Sequence, residues 1–242
     1  MNYRLHIYDD PELTARALAE LISEKAKTRA NNSQKLNIAV SGGKTPSILF
    51  TLLAREYKNV IPWEAIHFFW VDERCVEPTD PESNFGMTYD ALFRYAFINP
   101  SNLFRIKGEA VPEDEAERYQ KLLWDKLPVR NQFPVFDLIL LGIGDDGHTA
   151  SIFPDNLSLL NSENSVKVAK QPLSGQKRIT LTGKTICNAN QVVFFVTGAN
   201  KSEIVSRIVN RKSEANKYPA SYIYDFEGNA DFYIDKDTAA IL

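Results

Sequence analysis

Leu36-Asn37-Ile38-Ala39-Val40-Ser41-Gly42-Gly43-Lys44-Thr45-Pro46 reads as a short apolar run, a glycine turn and the opening of an amphipathic stretch that continues through Tyr57. A brief apolar run closed by turn residues fits a strand buried on both faces, and a proline in the first turn suits the start of a helix. Strand, turn and helix in that order form the repeating unit of a parallel sheet. The cycle recurs on either side. Upstream, Asp10-Pro11-Glu12 supplies an N-cap, a first-turn proline and a first-turn acid, and Leu13, Ala17, Leu21 and Ile22 follow at helical spacing, which predicts a helix to about Ala30. Downstream, Ile66 to Val71 is a continuous apolar strand ending in Asp72-Glu73-Arg74, with a helix expected from Asn84 to Phe97. Leu103 to Ile106, the acidic helix Pro112 to Leu127, the strand Phe136 to Leu141, and Val192 to Val196 followed by Lys201 to Val209 continue the alternation without a break.

The expectation is an α/β protein with a single doubly wound, mostly parallel sheet and helices on both faces, residues 1–242 forming one domain. Ligands of such sheets bind beyond the carboxyl ends of strands. The polar clusters at 41–46, 72–74 and 142–151 all follow predicted strands and are therefore expected to share one crevice. Asn156 to Ser165 reads as a polar loop near the site, and Asn210 to Lys217 as a charged connection.

With 44% hydrophobic and 24% charged residues in 242, the chain has enough apolar material for a sizeable core. Lys and Arg number 28 against 31 Asp and Glu, a net charge of −3, so no general attraction to nucleic acid or an anionic membrane is expected and any anion site must be local. Cys75 and Cys187 lie far apart without zinc-type spacing, and a pair of reduced thiols is expected. No apolar run reaches the ~18 residues of a membrane span, and Met1 to Tyr8 carries no leader-like pattern, so a cytoplasmic protein is expected.

The turn Ser41-Gly42-Gly43-Lys44-Thr45 allows close backbone approach, and free N–H groups at the helix start suit a phosphate; a plain turn without ligand is the competing reading. Gly43-Lys44-Thr45 resembles the end of a nucleotide-binding P-loop, but Ile38 occupies the place of the first glycine and Pro46 follows at once. Gly142-Ile143-Gly144-Asp145-Asp146-Gly147 formally satisfies a dinucleotide fingerprint. Two carboxylates in the turn would repel a pyrophosphate, however, and Pro154 leaves little room for a helix. These glycines better suit a turn that presents His148, for which two readings stand at this point: a structural histidine, or a base with one imidazole nitrogen held by Asp146 two residues away. His6 and His67, on predicted strands, read as structural. Asp72 and Arg74 suit substrate hydroxyls and negative charge respectively, or are simply solvated where the chain leaves the core. Arg178 and Lys201 are cations beside predicted strand ends; taken singly, each fits surface charge as well. Phe68-Phe69-Trp70 and Phe194-Phe195 are expected in the core.

Several segments together resemble the 6-phosphogluconolactonase family, related to the glucosamine-6-phosphate deaminases, with which it shares a Rossmann-like fold. They are Ser41 to Pro46, Asp72-Glu73-Arg74-Cys75-Val76 with Ser83-Asn84, Gly142 to Pro154, Arg178 to Thr182, and Pro219-Ala220-Ser221. The resemblance implies hydrolysis of 6-phospho-D-glucono-1,5-lactone to 6-phospho-D-gluconate, the second step of the oxidative pentose phosphate pathway. It implies a small-molecule sugar-phosphate partner, no cofactor and no metal, and leaves the oligomeric state open, a monomer included. By resemblance His148 is the general base and Asp146 its neighbour, Asp72 and Arg74 contact the lactone, and Ser41, Gly42, Gly43, Lys44, Thr45, Arg178 and Lys201 hold the phosphate. The deaminases carry a glutamate where this chain has Phe153, which disfavours deaminase or isomerase chemistry; a non-catalytic sugar-phosphate sensor is the remaining alternative.

Overall fold

The computed structural model describes residues 4–211, 214–225 and 230–242. The strands are β1 (Arg4–Tyr8), β2 (Leu36–Val40), β3 (Ile66–Trp70), β4 (Asp72–Arg74), β5 (Leu103–Phe104), β6 (Val129–Arg130), β7 (Phe133–Pro134), β8 (Leu138–Leu141), β9 (Val166–Lys170), β10 (Lys177–Leu181), β11 (Val192–Val196) and β12 (Ala230–Asp235). The helices are α1 (Pro11–Asn31), α2 (Lys44–Leu52), α3 (Asn84–Thr88), α4 (Pro112–Lys126), α5 (Gly183–Cys187), α6 (Ser202–Val209), α7 (Pro219–Asp225) and α8 (Lys236–Ala239).

Local chemistry explains the main elements. The Asp10 side chain accepts the Leu13 N–H at 2.8 Å, Pro11 fills the first helical position, and Arg29 lies in the last turn of α1, where a cation meets the negative helix end. Every residue of β2, β8 and β11 is buried, as expected for central parallel strands covered on both faces. Phe68, Phe69, Trp70, Phe194 and Phe195 lie in that core. His67 is half-buried on β3, where desolvation lowers its pKa.

Seven strands form one sheet in the order β1-β12-β11-β8-β2-β3-β5, with every neighbouring pair parallel. From β2 the chain advances outward through β3 to β5, then returns to β8 and advances the other way through β11 to β12. Right-handed crossovers running in opposite directions place their helices on opposite faces, which makes the sheet doubly wound. The direction reverses between β2 and β8, and a crevice opens there beyond the strands' carboxyl ends.

Three expectations need correction. The alternation is interrupted: β4, β10 and β9 form a separate three-stranded antiparallel sheet, and β6 pairs with β7 in a small hairpin. The helix expected over 84–97 is α-helical only through Thr88 and then widens into a π turn at Tyr89–Phe93; α2 widens likewise at Leu53–Tyr57. The segment Asn156 to Ser165 is not uniformly polar surface, because a 3₁₀ turn at Leu157–Leu160 buries Leu159 and Leu160. Of the connection 210–217, residues 212–213 lie outside the described residues, and Ala215–Lys217 forms a single 3₁₀ turn. Among the described residues no helix is long and apolar enough to cross a membrane.

Candidate active site

The ends of β3, β2 and β8 lie side by side, so the loops that follow them converge on the crevice. A cavity of about 210 Å³ there is lined by Ser41, Gly42, Gly43, Asp72, Arg74, His148 and Arg178. Sequence reasoning singled out all seven. Asn84, Ile143 and Ala150 line it as well and were not singled out. Larger hollows elsewhere, beside Arg29 and Asp137 and beside Arg55 and Asp90, contain no histidine.

His148 is positioned by its own turn. Its Nδ1 lies 2.5 Å from Asp146 Oδ1, and that oxygen also accepts the His148 backbone N–H at 3.1 Å. The carboxylate favours the tautomer protonated at Nδ1, which leaves Nε2 as the basic atom. Half-burial pushes the Asp146 carboxyl up, but the hydrogen bond and charge of His148 outweigh it, and the net value lies below the usual carboxylate range. The imidazole packs 4.8 Å from the buried Phe153 ring, and the Arg178 guanidinium sits 5.8 Å over the same ring. Phe153 therefore fills the ground between base and cation with hydrocarbon.

The glycines of this turn are steric requirements. A Cβ on Gly144 would stand 2.1 Å from His148 Nδ1, and one on Gly147, whose φ is +80°, would stand 2.4 Å from the Tyr218 ring. Gly144→Ala must displace the imidazole. If the imidazole serves as a catalytic base, a misplacement of ~1 Å costs ~10²-fold in rate, and kcat for this variant is then expected to fall by about that factor in a steady-state assay. No dinucleotide-type helix follows: Thr149 to Ile152 is a tight turn with Ala150 at φ +50°, a strained conformation for a residue other than glycine.

That turn delivers Ser151 to Asp72. The Ser151 hydroxyl donates to Asp72 Oδ2 at 2.6 Å, and the Asn84 amide donates to the Asp72 backbone oxygen at 2.8 Å and to Oδ1 at 3.3 Å. Asp72 and Glu73, which the sequence left open as solvated charges at a strand end, are 5% and 2% exposed. Glu73 Oε1 accepts the N–H groups of Arg74 and Asn84, and Oε2 accepts the Phe85 N–H and the Ser83 hydroxyl, so one carboxylate closes the start of α3. Burial pushes Glu73 above its ordinary value, and the three backbone N–H groups oppose the shift. Glu73→Ala would leave those three donors without their acceptor. At ~1–3 kcal/mol each, a loss of about 3 kcal/mol or more is expected by urea unfolding. Because the folded value lies above the ordinary one, the wild-type advantage is greatest at low pH and shrinks as pH rises through the raised value.

Arg74 on β4 and Arg178 on β10 are register partners in the antiparallel ladder. Like charges opposite one another are unfavourable. Both Nε atoms are buried without a hydrogen-bond partner, although the Arg74 Nη1 group donates to the Glu82 carbonyl. Burial pushes the Arg178 guanidinium below its ordinary value, and the Arg74 charge adds to the fall against the opposing effect of Asp72. Two guanidinium forks lining one cavity are chemically suited to an anion.

The other sequence-selected cations lie apart from this cavity's lining. Lys44 is the exposed first residue of α2, and the Thr45 hydroxyl meets that of Thr197 at 3.2 Å. Lys201 forms a 2.5 Å ion pair with Asp145, and the Ser41 hydroxyl donates to the Leu140 carbonyl at 2.7 Å. Among the described residues no group of three or more His, Cys, Asp or Glu side chains could hold a metal ion. Among the described residues neither Cys75 nor Cys187 forms a disulfide.

An imidazole–carboxylate pair and paired guanidiniums at the switch point of a doubly wound sheet equip the crevice for proton transfer on an anionic ligand. The chain belongs to the family described as glucosamine-6-phosphate isomerases/6-phosphogluconolactonase, whose model matches residues 9–232. Within it, the 6-phosphogluconolactonase of Aggregatibacter actinomycetemcomitans is 40% identical over 95% of this chain and 97% of its own. A solved 6-phosphogluconolactonase from Trypanosoma brucei superposes with a TM-score of 0.87 at 30% identity, covering 100% of this chain and 99% of that one. The solved devB protein superposes with a TM-score of 0.92 at 39% identity over 99% of both chains.

Proposed function

We propose that the protein hydrolyses 6-phospho-D-glucono-1,5-lactone to 6-phospho-D-gluconate, with His148 as general base. The observation that carries this reading is the placement of the Asp146-oriented imidazole on the same cavity as the Arg74 and Arg178 side chains. Arg178 and Arg74 receive the phosphate, backed by the Gly42–Gly43 turn, and this fixes the lactone carbonyl beside a water held by His148 Nε2. Nε2 takes a proton as the water oxygen bonds to the carbonyl carbon. The bond from that carbon to the ring oxygen then breaks, and imidazolium returns the proton to the departing oxygen. One water is consumed and a hydroxy acid is released. Asp72, held by Ser151 and Asn84, accepts from a substrate hydroxyl.

Its register pairing with Arg178 supports giving Arg74 a share in the phosphate site besides the lactone contact that the resemblance implies. Lys201 joins the phosphate only by leaving Asp145. Phe153 supports a lactonase over a deaminase, since hydrocarbon occupies the position where the deaminases carry a glutamate. Acid release from the lactone above its spontaneous rate, with no ammonia release from glucosamine 6-phosphate, is the expected pair of results. Ammonia release without lactone hydrolysis would reverse the assignment.

A further inference from the structure

Asn84 is 2% exposed, lines the cavity, and leaves its Oδ1 without a hydrogen-bond partner. The side-chain amide cannot turn over to relieve this, because Nδ2 already donates to the Asp72 carbonyl and carboxylate, and exchanging the two atoms would set oxygen against oxygen. Its Oδ1 is pressed against the glycine turn: a Cβ on Gly42 would stand 1.8 Å away. The backbone around it is held equally firmly, since Glu73 Oε1 accepts the Asn84 N–H at 2.7 Å and Thr88 Oγ1 donates to the Asn84 carbonyl at 2.8 Å. A buried amide with an orphaned acceptor is a poor choice for filling space, because the unmet acceptor keeps its desolvation cost. What it does is join two loops from neighbouring strands. It is locked to Asp72 after β3 on one side and fitted against Gly42 after β2 on the other.

We propose that Asn84 is a positioning residue for substrate recognition: clamped between Asp72 and Gly42, it fixes the aspartate carboxylate relative to the glycine turn so that its free lone pairs meet a substrate hydroxyl. Ser151 holds the second carboxylate oxygen from the opposite side, so Asn84 and Ser151 together set the carboxylate plane. This inference rests on the reading that Asp72 contacts the substrate.

The test is a double-mutant cycle in KM and kcat for the lactone with wild type, Asp72→Ala, Asn84→Ala and the double variant, each checked for folding by thermal melting. Each single change is expected to raise KM about tenfold with a smaller change in kcat. The double variant is expected to be no worse than Asp72→Ala, because residues acting through one contact are not additive. Multiplying effects, or a wild-type KM for Asn84→Ala, would overturn the proposal. If Asp72→Ala itself leaves KM and kcat unchanged, the substrate contact is refuted, a failure separate from that of the positioning role.

A second arm holds even if Asn84→Ala fails to fold. In Asn84→Asp, two carboxylates meet where an amide and a carboxylate met, and like charge raises the pKa of the pair. A single shared proton restores the contact, and losing it separates the two groups. Arg178 on β10, Glu73 and Arg74 beside Asp72 on β4, and Glu82 before α3 surround the pair and are common to both proteins. KM of Asn84→Asp is therefore expected to climb as pH rises through the raised value, a limb absent from wild type. A profile of unchanged shape would overturn the proposal.

Discussion

Replacing His148 by alanine is expected to lower kcat by about 10²- to 10⁴-fold while leaving KM nearly unchanged. The asymmetry follows from placement. In the proposed reading the anionic end of the ligand is received by Arg74 and Arg178, which the substitution leaves alone, whereas the proposed proton-accepting nitrogen is lost. Stability should hardly move, because the imidazole is partly exposed and its hydrogen bonds go to Asp146 alone. Steady-state kinetics with a thermal melt as control checks both halves. Near-normal turnover in a folded variant would remove His148 from the role of base. Asp146→Asn should share the fall in kcat, since the amide supplies no charge to stabilise the imidazolium formed during the reaction.

Arg178→Ala is expected to act in the opposite sense, raising KM by roughly 10- to 100-fold with a small change in kcat. This is the range for losing hydrogen bonds to a charged group at ~1.5–3 kcal/mol. Arg178→Lys should recover only part of the affinity, because an ammonium keeps the charge but not the planar fork. The variants should also differ without ligand. Removing one of two facing guanidiniums relieves repulsion across the β4–β10 ladder, so Arg178→Ala should unfold at no lower urea concentration than wild type. An unchanged KM would place the phosphate elsewhere, with the Gly42–Gly43 turn and Lys201 as the next candidates.

Much of the fold was legible because central parallel strands announce themselves: 192–196 is apolar without interruption, 36–40 and 66–70 are broken only by Asn37 and His67, and β2 and β11 are buried at every residue. The common crevice was legible for a related reason, since three polar clusters each followed such a run. The second sheet was not. Asp72-Glu73-Arg74 is too short to display a two-residue alternation, and its pairing with β10 depends on chain far away in sequence. Without that pairing, Arg74 and Arg178 are two separate charges rather than neighbours on one cavity. The burial of Asp72 and Glu73 was hidden likewise, because the groups that satisfy them are Ser151 and the backbone of α3. Asn84 entered the sequence reading only as the start of a helix and as part of the Ser83-Asn84 segment of the resemblance, because its contacts with both Asp72 and Gly42 join residues far apart in the chain. The Lys201–Asp145 ion pair was equally invisible, joining residues 56 positions apart. The π turns at 53–57 and 89–93 were missed because a helical period of 3.6 residues cannot anticipate a local widening.

The central claim is that this crevice catalyses hydrolysis of a sugar-phosphate lactone and does not merely bind one. It is tested most directly by the initial rate of acid release from freshly prepared 6-phospho-D-glucono-1,5-lactone, corrected for spontaneous opening, with 6-phosphogluconate binding measured on the same protein. The account predicts a saturable rate far above background for wild type, nearly abolished in His148→Ala while product binding persists. A protein that binds 6-phosphogluconate yet leaves the lactone opening at its spontaneous rate would be a sensor, and would contradict the account.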